Sequence, residues 1–178
     1  MLYFNKETQL VNIIKNGYNM AMLKKITKEV HKQLTKQQKT ISLAESCTGG
    51  LLSSLLTSQS GSSVYFFSSI VAYNNEAKVK LLNIPAKIIA KYGAVSSNTA
   101  ILMAKNIRKK TNTDFGLSIT GIAGPTGATK NKPIGTVFIC LAKKSRNICL
   151  KFSFRGNREV IRKKSAYQAL CLLARQII

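Results

Sequence analysis

Acidic residues are scarce in this chain: Asp and Glu number 6 against 28 Lys and Arg, a formal net charge of +22 over 178 residues. Tryptophan is absent and proline occurs three times. The single histidine, His31, excludes a histidine-based triad and a multi-histidine metal site within one chain. The four cysteines, Cys47, Cys140, Cys149 and Cys171, show no C-x-x-C and no metal-type spacing, and Cys140 and Cys171 sit in apolar runs as expected core residues. No apolar run reaches the length of a membrane span. The first twenty residues, with Lys6, Glu7 and Lys15 among short apolar pieces, lack a secretory cleavage pattern. The expectation is a soluble, cytoplasmic protein whose acid–base chemistry near neutral pH uses Lys, Tyr, Glu, Asp or Cys.

The cationic excess is 22 lysines to 6 arginines, spread along the whole chain. That pattern reads as AT-rich coding drift on a solvated surface. Phosphate recognition more often clusters arginine with interleaved aromatics. No specific nucleic-acid partner and no membrane partner are expected, although polyanions would adhere at low salt.

Residues 1–22 read as an N-terminal extension; Met20 and Met22 offer alternative translation starts, so the extension need not be translated. From there Leu23, Ile26, Val30 and Leu34 recur at helical spacing, with His31 beside the stripe. Ile41–Ala44 is a short buried strand, followed by a helix with Leu51, Leu52, Leu55 and Leu56 inward. "VYFFSSIVAY" is strongly β-prone, and helical pieces follow around Glu76–Leu82 and after Pro85. Ser96 and Asn157 are placed to cap helices whose core faces are Ala100, Met103, Ala104, Ile107 and Ala166, Ala169, Leu170, Leu173. "FGLSIT" is another apolar strand, and "TVFICLA" and "ICLKFSF" flank the turn-like "KKSRN" as an antiparallel hairpin. No repeat or linker interrupts residues 23–178. The fold class is α/β: a single domain with a mixed β-sheet covered by helices.

Four short motifs carry chemistry. In "AESCTGG", Ser46 stands where a strand gives way to a helix, and the amides of Thr48, Gly49 and Gly50 would serve a phosphate or a developing oxyanion. Alternatively, Ser46 is only an N-cap before a tight packing corner. In "AYNNEAK", Asn74 or Asn75 caps a helix with Lys78 in its first turn, where the helix dipole lowers an amine's pKa. A lysine base must be neutral, which takes its pKa from roughly 10.4 toward 7 or 8 through burial and like-charge pressure, some 3–5 kcal/mol. The alternative is a solvated helix lysine. "SITGIAGPTG" leaves a buried strand with Ser118, Thr120, Gly121, Gly124 and Gly127, suited to positioning a small ligand. In "FRGNRE", Arg158 opens the last helix against dipole preference, which suits a phosphate, a carboxylate ligand, or a pair with Glu45, Glu76 or Glu159.

"AESCTGG", "VAYNNEAK", "YGAVS", "SITGIAGPTG", "KPIGTV" and "FRGNRE" occur in order, and together they resemble the CinA carboxy-terminal domain, the family of bacterial nicotinamide mononucleotide deamidases (PncC). The similarity runs from about Leu23 to the C-terminus, so residues 23–178 are expected to be a CinA C-terminal-like amidohydrolase domain. The resemblance implies hydrolysis of the carboxamide of nicotinamide mononucleotide to nicotinate mononucleotide and ammonia, a step of pyridine-nucleotide salvage. It implies no metal or organic cofactor and a homodimer. The family's serine–lysine pair falls on Ser46 and Lys78, with Tyr73 and Thr120 near the reacting group and Arg158 on the ligand. Together with Cys47, Thr48, Gly49, Gly50, Gly121 and Gly124, these form the expected site. One position departs: Thr126 stands where the family usually has Asp after the proline of the glycine loop. That departure favours the alternative, a catalytically silent CinA-like nucleotide- or partner-binding protein.

Overall fold

The apolar spacings fold as two helical layers on a five-stranded sheet. The computed structural model describes residues 20–177, so most of the expected extension lies outside the described residues. The elements are α1 (Met20–Lys36), β1 (Ile41–Glu45), α2 (Leu51–Thr57), a 3-10 turn (Ser62–Val64) and β2 (Phe66–Val71). Then come α3 (Asn75–Leu82), α4 (Ala86–Tyr92), α5 (Ser97–Thr111), β3 (Phe115–Gly121), β4 (Thr136–Ala142), β5 (Asn147–Ser153) and α6 (Arg158–Ala174). The strand order is β2-β1-β3-β4-β5. β1 runs parallel to β2 and β3, while β3–β4 and β4–β5 are antiparallel, so the sheet is mixed. Parallel pairs need crossovers, and α2 and then α3–α5 supply them.

One face carries Ile41, Leu43, Leu117, Ile119, Val137 and Ile139 beneath α1, α2 and α6. The other carries Ala44, Cys140 and Ala142 beneath helices that contribute Leu82, Ile89, Met103 and Ile107. Gly116 lets α5 lie directly on the sheet: a Cβ there would stand 2.2 Å from the Ala104 carbonyl oxygen. Among the described residues no helix is long and apolar enough to cross a membrane.

The caps fall where the side chains place them. Asn74, Ser96 and Asn157 accept from the amides of Ala77, Thr99 and Val160. Of the two cysteines expected in the core, Cys140 is there and Cys171 is not. Cys140 is buried but not free: it is disulfide-bonded to Cys149, its direct opposite across the β4–β5 ladder, with Cα atoms 4.1 Å apart. Cys171 is half-buried rather than fully internal.

Candidate active site

Both parallel strands of the site end at the same edge. Glu45 pairs with Ile119 across β1 and β3, so the next residues, Ser46 and Thr120, stand side by side on the face covered by α3–α5. α3 starts immediately beyond β2 and turns Lys78 back over that edge. The Lys78 amine lies 3.1 Å from Ser46 Oγ. It also donates to the carbonyl oxygens of Ala72 at 2.8 Å and Tyr73 at 3.3 Å, with that of Asn74 at 3.5 Å. Lys78 is 1% exposed and Ser46 6%. The solvated-lysine alternative is therefore excluded.

Burial pushes the Lys78 amine from its ordinary value near 10.5 down to about 8. Of the expected causes it is burial, the loss of hydration, that lowers it, and no like charge contributes. The one opposing influence is a Cys47 thiolate. Burial pushes that thiol up to about 12, so it stays neutral at neutral pH and exerts no such pull. The proton count fits either state. An ammonium fills three acceptors, Ser46 Oγ, Ala72 O and Tyr73 O. A neutral amine fills the two carbonyls and turns its lone pair to the serine hydroxyl.

The turn after Ser46 is built differently from the expectation. α2 begins five residues later, and its N-cap is Gly50 at φ 90°, a conformation glycine adopts without strain. Ser46 is thus not the cap. The anion at this helix start is internal: the Glu45 carboxylate accepts from the amides of Gly50, Leu52 and Ser53 and from the Ser53 hydroxyl. Gly49 N–H donates to Ser46 O and Leu51 N–H to Thr48 O. Of the expected oxyanion donors Gly49 and Gly50 are therefore committed. The amides of Cys47 and Thr48 have no oxygen acceptor among the described residues.

Thr120 is buried, and its hydroxyl donates to Ala94 O at 2.9 Å, tying the loop before α5 to the sheet edge. Tyr73 connects two parts of the site. Its carbonyl touches the lysine amine, while its side chain, 54% exposed, accepts a hydrogen bond from Arg158 through the phenol oxygen. Arg158 also donates to Gly124 O at 2.7 Å. None of the three candidate carboxylates pairs with it, so Arg158 instead links the glycine-rich loop to the chain beyond β2. Gly121 is set by packing, since a Cβ there would meet Val137 at 2.6 Å. Thr126 is exposed on the loop.

Two contributors were not read from the sequence. The sequence offers Glu45 only as a partner for Arg158, whereas the fold sets it on the start of α2. Arg162, one helical turn beyond Arg158, donates from Nε at 3.1 Å and Nη2 at 2.6 Å to Thr48 O, clamping the serine turn from behind. The i, i+4 spacing of Arg158 and Arg162 was the available signal.

The geometry defines an α/β domain that buries a lysine amine against a serine hydroxyl at the edge of a mixed sheet. The CinA C-terminal domain signature matches residues 23–177, and the chain belongs to that family. A CinA-like protein of Thermosipho melanesiensis is 51% identical over 139 residues, 77% of this chain and 35% of that protein. Another from Syntrophomonas wolfei is 50% identical over 139 residues, 78% of this chain and 33% of its own length. The chain thus spans about a third of these curated relatives. Among solved structures, the competence/damage-inducible protein CihA of Agrobacterium tumefaciens superposes with a TM-score of 0.83 at 30% identity, covering 85% of this chain and 93% of that one. The competence damage-inducible protein A of Klebsiella pneumoniae gives 0.84 at 28% identity, covering 86% and 96%.

Proposed function

We propose that this domain hydrolyses the carboxamide of nicotinamide mononucleotide, giving nicotinate mononucleotide and ammonia. The observation that carries the reading is the buried amine of Lys78, 3.1 Å from Ser46 Oγ and pushed down to about 8. In a chain whose one histidine lies on α1, beside Tyr65, lysine is the available base for a hydroxyl nucleophile.

In this mechanism neutral Lys78 takes the Ser46 proton as Oγ bonds to the carboxamide carbon. The amides of Cys47 and Thr48 stabilise the oxyanion. The Lys78 ammonium returns the proton to the leaving nitrogen as the C–N bond breaks, releasing ammonia and an acyl-serine. Water, deprotonated by the same amine, attacks the ester and frees Ser46. Arg158, held by Tyr73 and Gly124, meets the 5′-phosphate with its remaining N–H groups. Thr120 positions the neighbouring loop. The reading carries with it the cytoplasmic, homodimeric context that the family resemblance implies.

The test is ammonia release from nicotinamide mononucleotide by the purified protein. Ser46→Ala and Lys78→Ala should each lose about 10²–10⁴-fold in rate. Turnover like the wild type in either variant would remove the pair from the mechanism. A second reading rests on Thr126, a hydroxyl on the exposed loop where the family usually has a carboxylate: the domain binds the mononucleotide without turning it over. Calorimetric binding with no ammonia release from the wild type would select it.

A further inference from the structure

The turn between β4 and β5 lies at the end of the sheet remote from Ser46, because Ala142 pairs with Gly116 at the start of β3. β3 has seven residues, which separates the two ends by about 20 Å at about 3.3 Å per residue. Here a cavity of about 210 Å³ is lined by Lys105, Arg108, Lys109, Lys143, Lys144 and Arg146, with one serine and one asparagine. A second depression shares Lys109 and adds Lys110.

Six of eight lining residues are cationic, against 28 of 178 in the whole chain. An even spread of lysine does not produce such a gathering; the fold does, by bringing α5 against the hairpin turn. No carboxylate lines the cavity, and among the described residues none of the six forms an ion pair. Two guanidinium groups are fixed from behind: Arg108 donates to Thr113 O at 3.2 Å and Arg146 to Gln176 Oε1 at 3.1 Å. Burial first, and then the charge of Arg146, hold the Lys143 amine below its usual value, with that amine 5.8 Å from the centroid of the Phe115 ring. Dipole complementation at the C-terminus of α5 accounts for Arg108, Lys109 and Lys110. It does not account for Lys143, Lys144 and Arg146, which come from the hairpin.

We infer that this cavity binds a compact oligophosphate anion of the pyrophosphate or triphosphate class, separately from the Ser46 site. Arginine forks and lysine point charges together suit phosphate oxygens. The volume selects the compact form, since pockets that enclose a whole organic ligand run about 300–1,000 Å³. A nucleic-acid backbone would instead require cations drawn out along the surface.

The experiment is calorimetric titration of the full chain with inorganic triphosphate at fixed ionic strength. It compares wild type, the triple variant Lys105→Gln, Lys109→Gln, Lys144→Gln, and a charge-matched control, Lys24→Gln, Lys25→Gln, Lys28→Gln, on the exposed face of α1. The expected result is one saturable site, weakened about tenfold or more in the cavity variant and unchanged in the control. Thermal unfolding of both variants checks that each is folded. Equal weakening in the two triples, several anions bound per chain, or no saturable binding would overturn the inference. So would a bound short DNA duplex that triphosphate fails to displace.

Discussion

An amine denied its hydration shell gives up its proton more readily, and Lys78 is the residue on which that principle acts here. Its descent from near 10.5 to about 8 corresponds to about 3 kcal/mol of disfavoured charge. The sign of the resulting pH dependence is fixed. Between pH 8 and 10.5 the unfolded chain still holds the proton that the folded chain has released. Stability therefore rises with pH through that window and levels off above it. Urea unfolding of the wild type, referenced to Lys78→Met so that other groups cancel, should gain on the order of 3 kcal/mol from pH 7.5 to 10.5. A flat difference would mean that the amine is solvated. That Lys78 sits in a first helical turn was legible from "NNEAK". That burial would lower it was an expectation; that this particular lysine is buried was not legible, because its desolvation depends on what β1 and β2 stack around the amine.

At the scale of the element, the decisive unit is the β1–α2 turn. A carboxylate at a helix start normally caps from the residue just outside the helix. Glu45 reaches the same amides from the end of the preceding strand, fully buried, and accepts four hydrogen bonds. It thereby fixes the direction in which the turn presents Ser46, Cys47 and Thr48. Glu45→Gln replaces one acceptor oxygen by a donor facing N–H groups, and should cost about 2–3 kcal/mol in urea unfolding. A change within a few tenths of a kcal/mol would show that the carboxylate does not hold the turn. The strands, helices and caps were legible because apolar period and capping side chains are local signals, as at Ser96 and Asn157. The task of Glu45 was not, since a strand-end carboxylate binding a helix start five to eight residues ahead has no periodic signature. The Cys140–Cys149 bond was half legible: both stand equally far from the hairpin turn, but only the register puts them opposite each other.

For the whole molecule the dominant fact is charge. Against a net +22, the described residues contain three ion pairs: Lys39–Asp114, Lys80–Glu76 and Lys163–Glu159. Self-repulsion then outweighs what exposed pairs contribute, each worth about 0–1 kcal/mol at most. Added salt shortens the screening length from about 10 Å at 0.1 M to about 3 Å at 1 M. The melting temperature in sodium chloride should accordingly rise over that range. A fall would show that ion pairs, and not repulsion, govern stability. The sum of charge was visible in composition. Its concentration at the β4–β5 end was not, because residues 105–109 and 143–146 meet only in the folded chain.

The central claim is that one lysine of the 22 can lose its proton near neutral pH beside a serine hydroxyl. Carbon-13 labelling at lysine Cε, followed by NMR across pH 6 to 11, observes this directly. The account predicts one resonance with a midpoint at about 8, absent from the spectrum of Lys78→Met. A Lys78 resonance that titrates with the bulk of the lysines, above about 10, would contradict it.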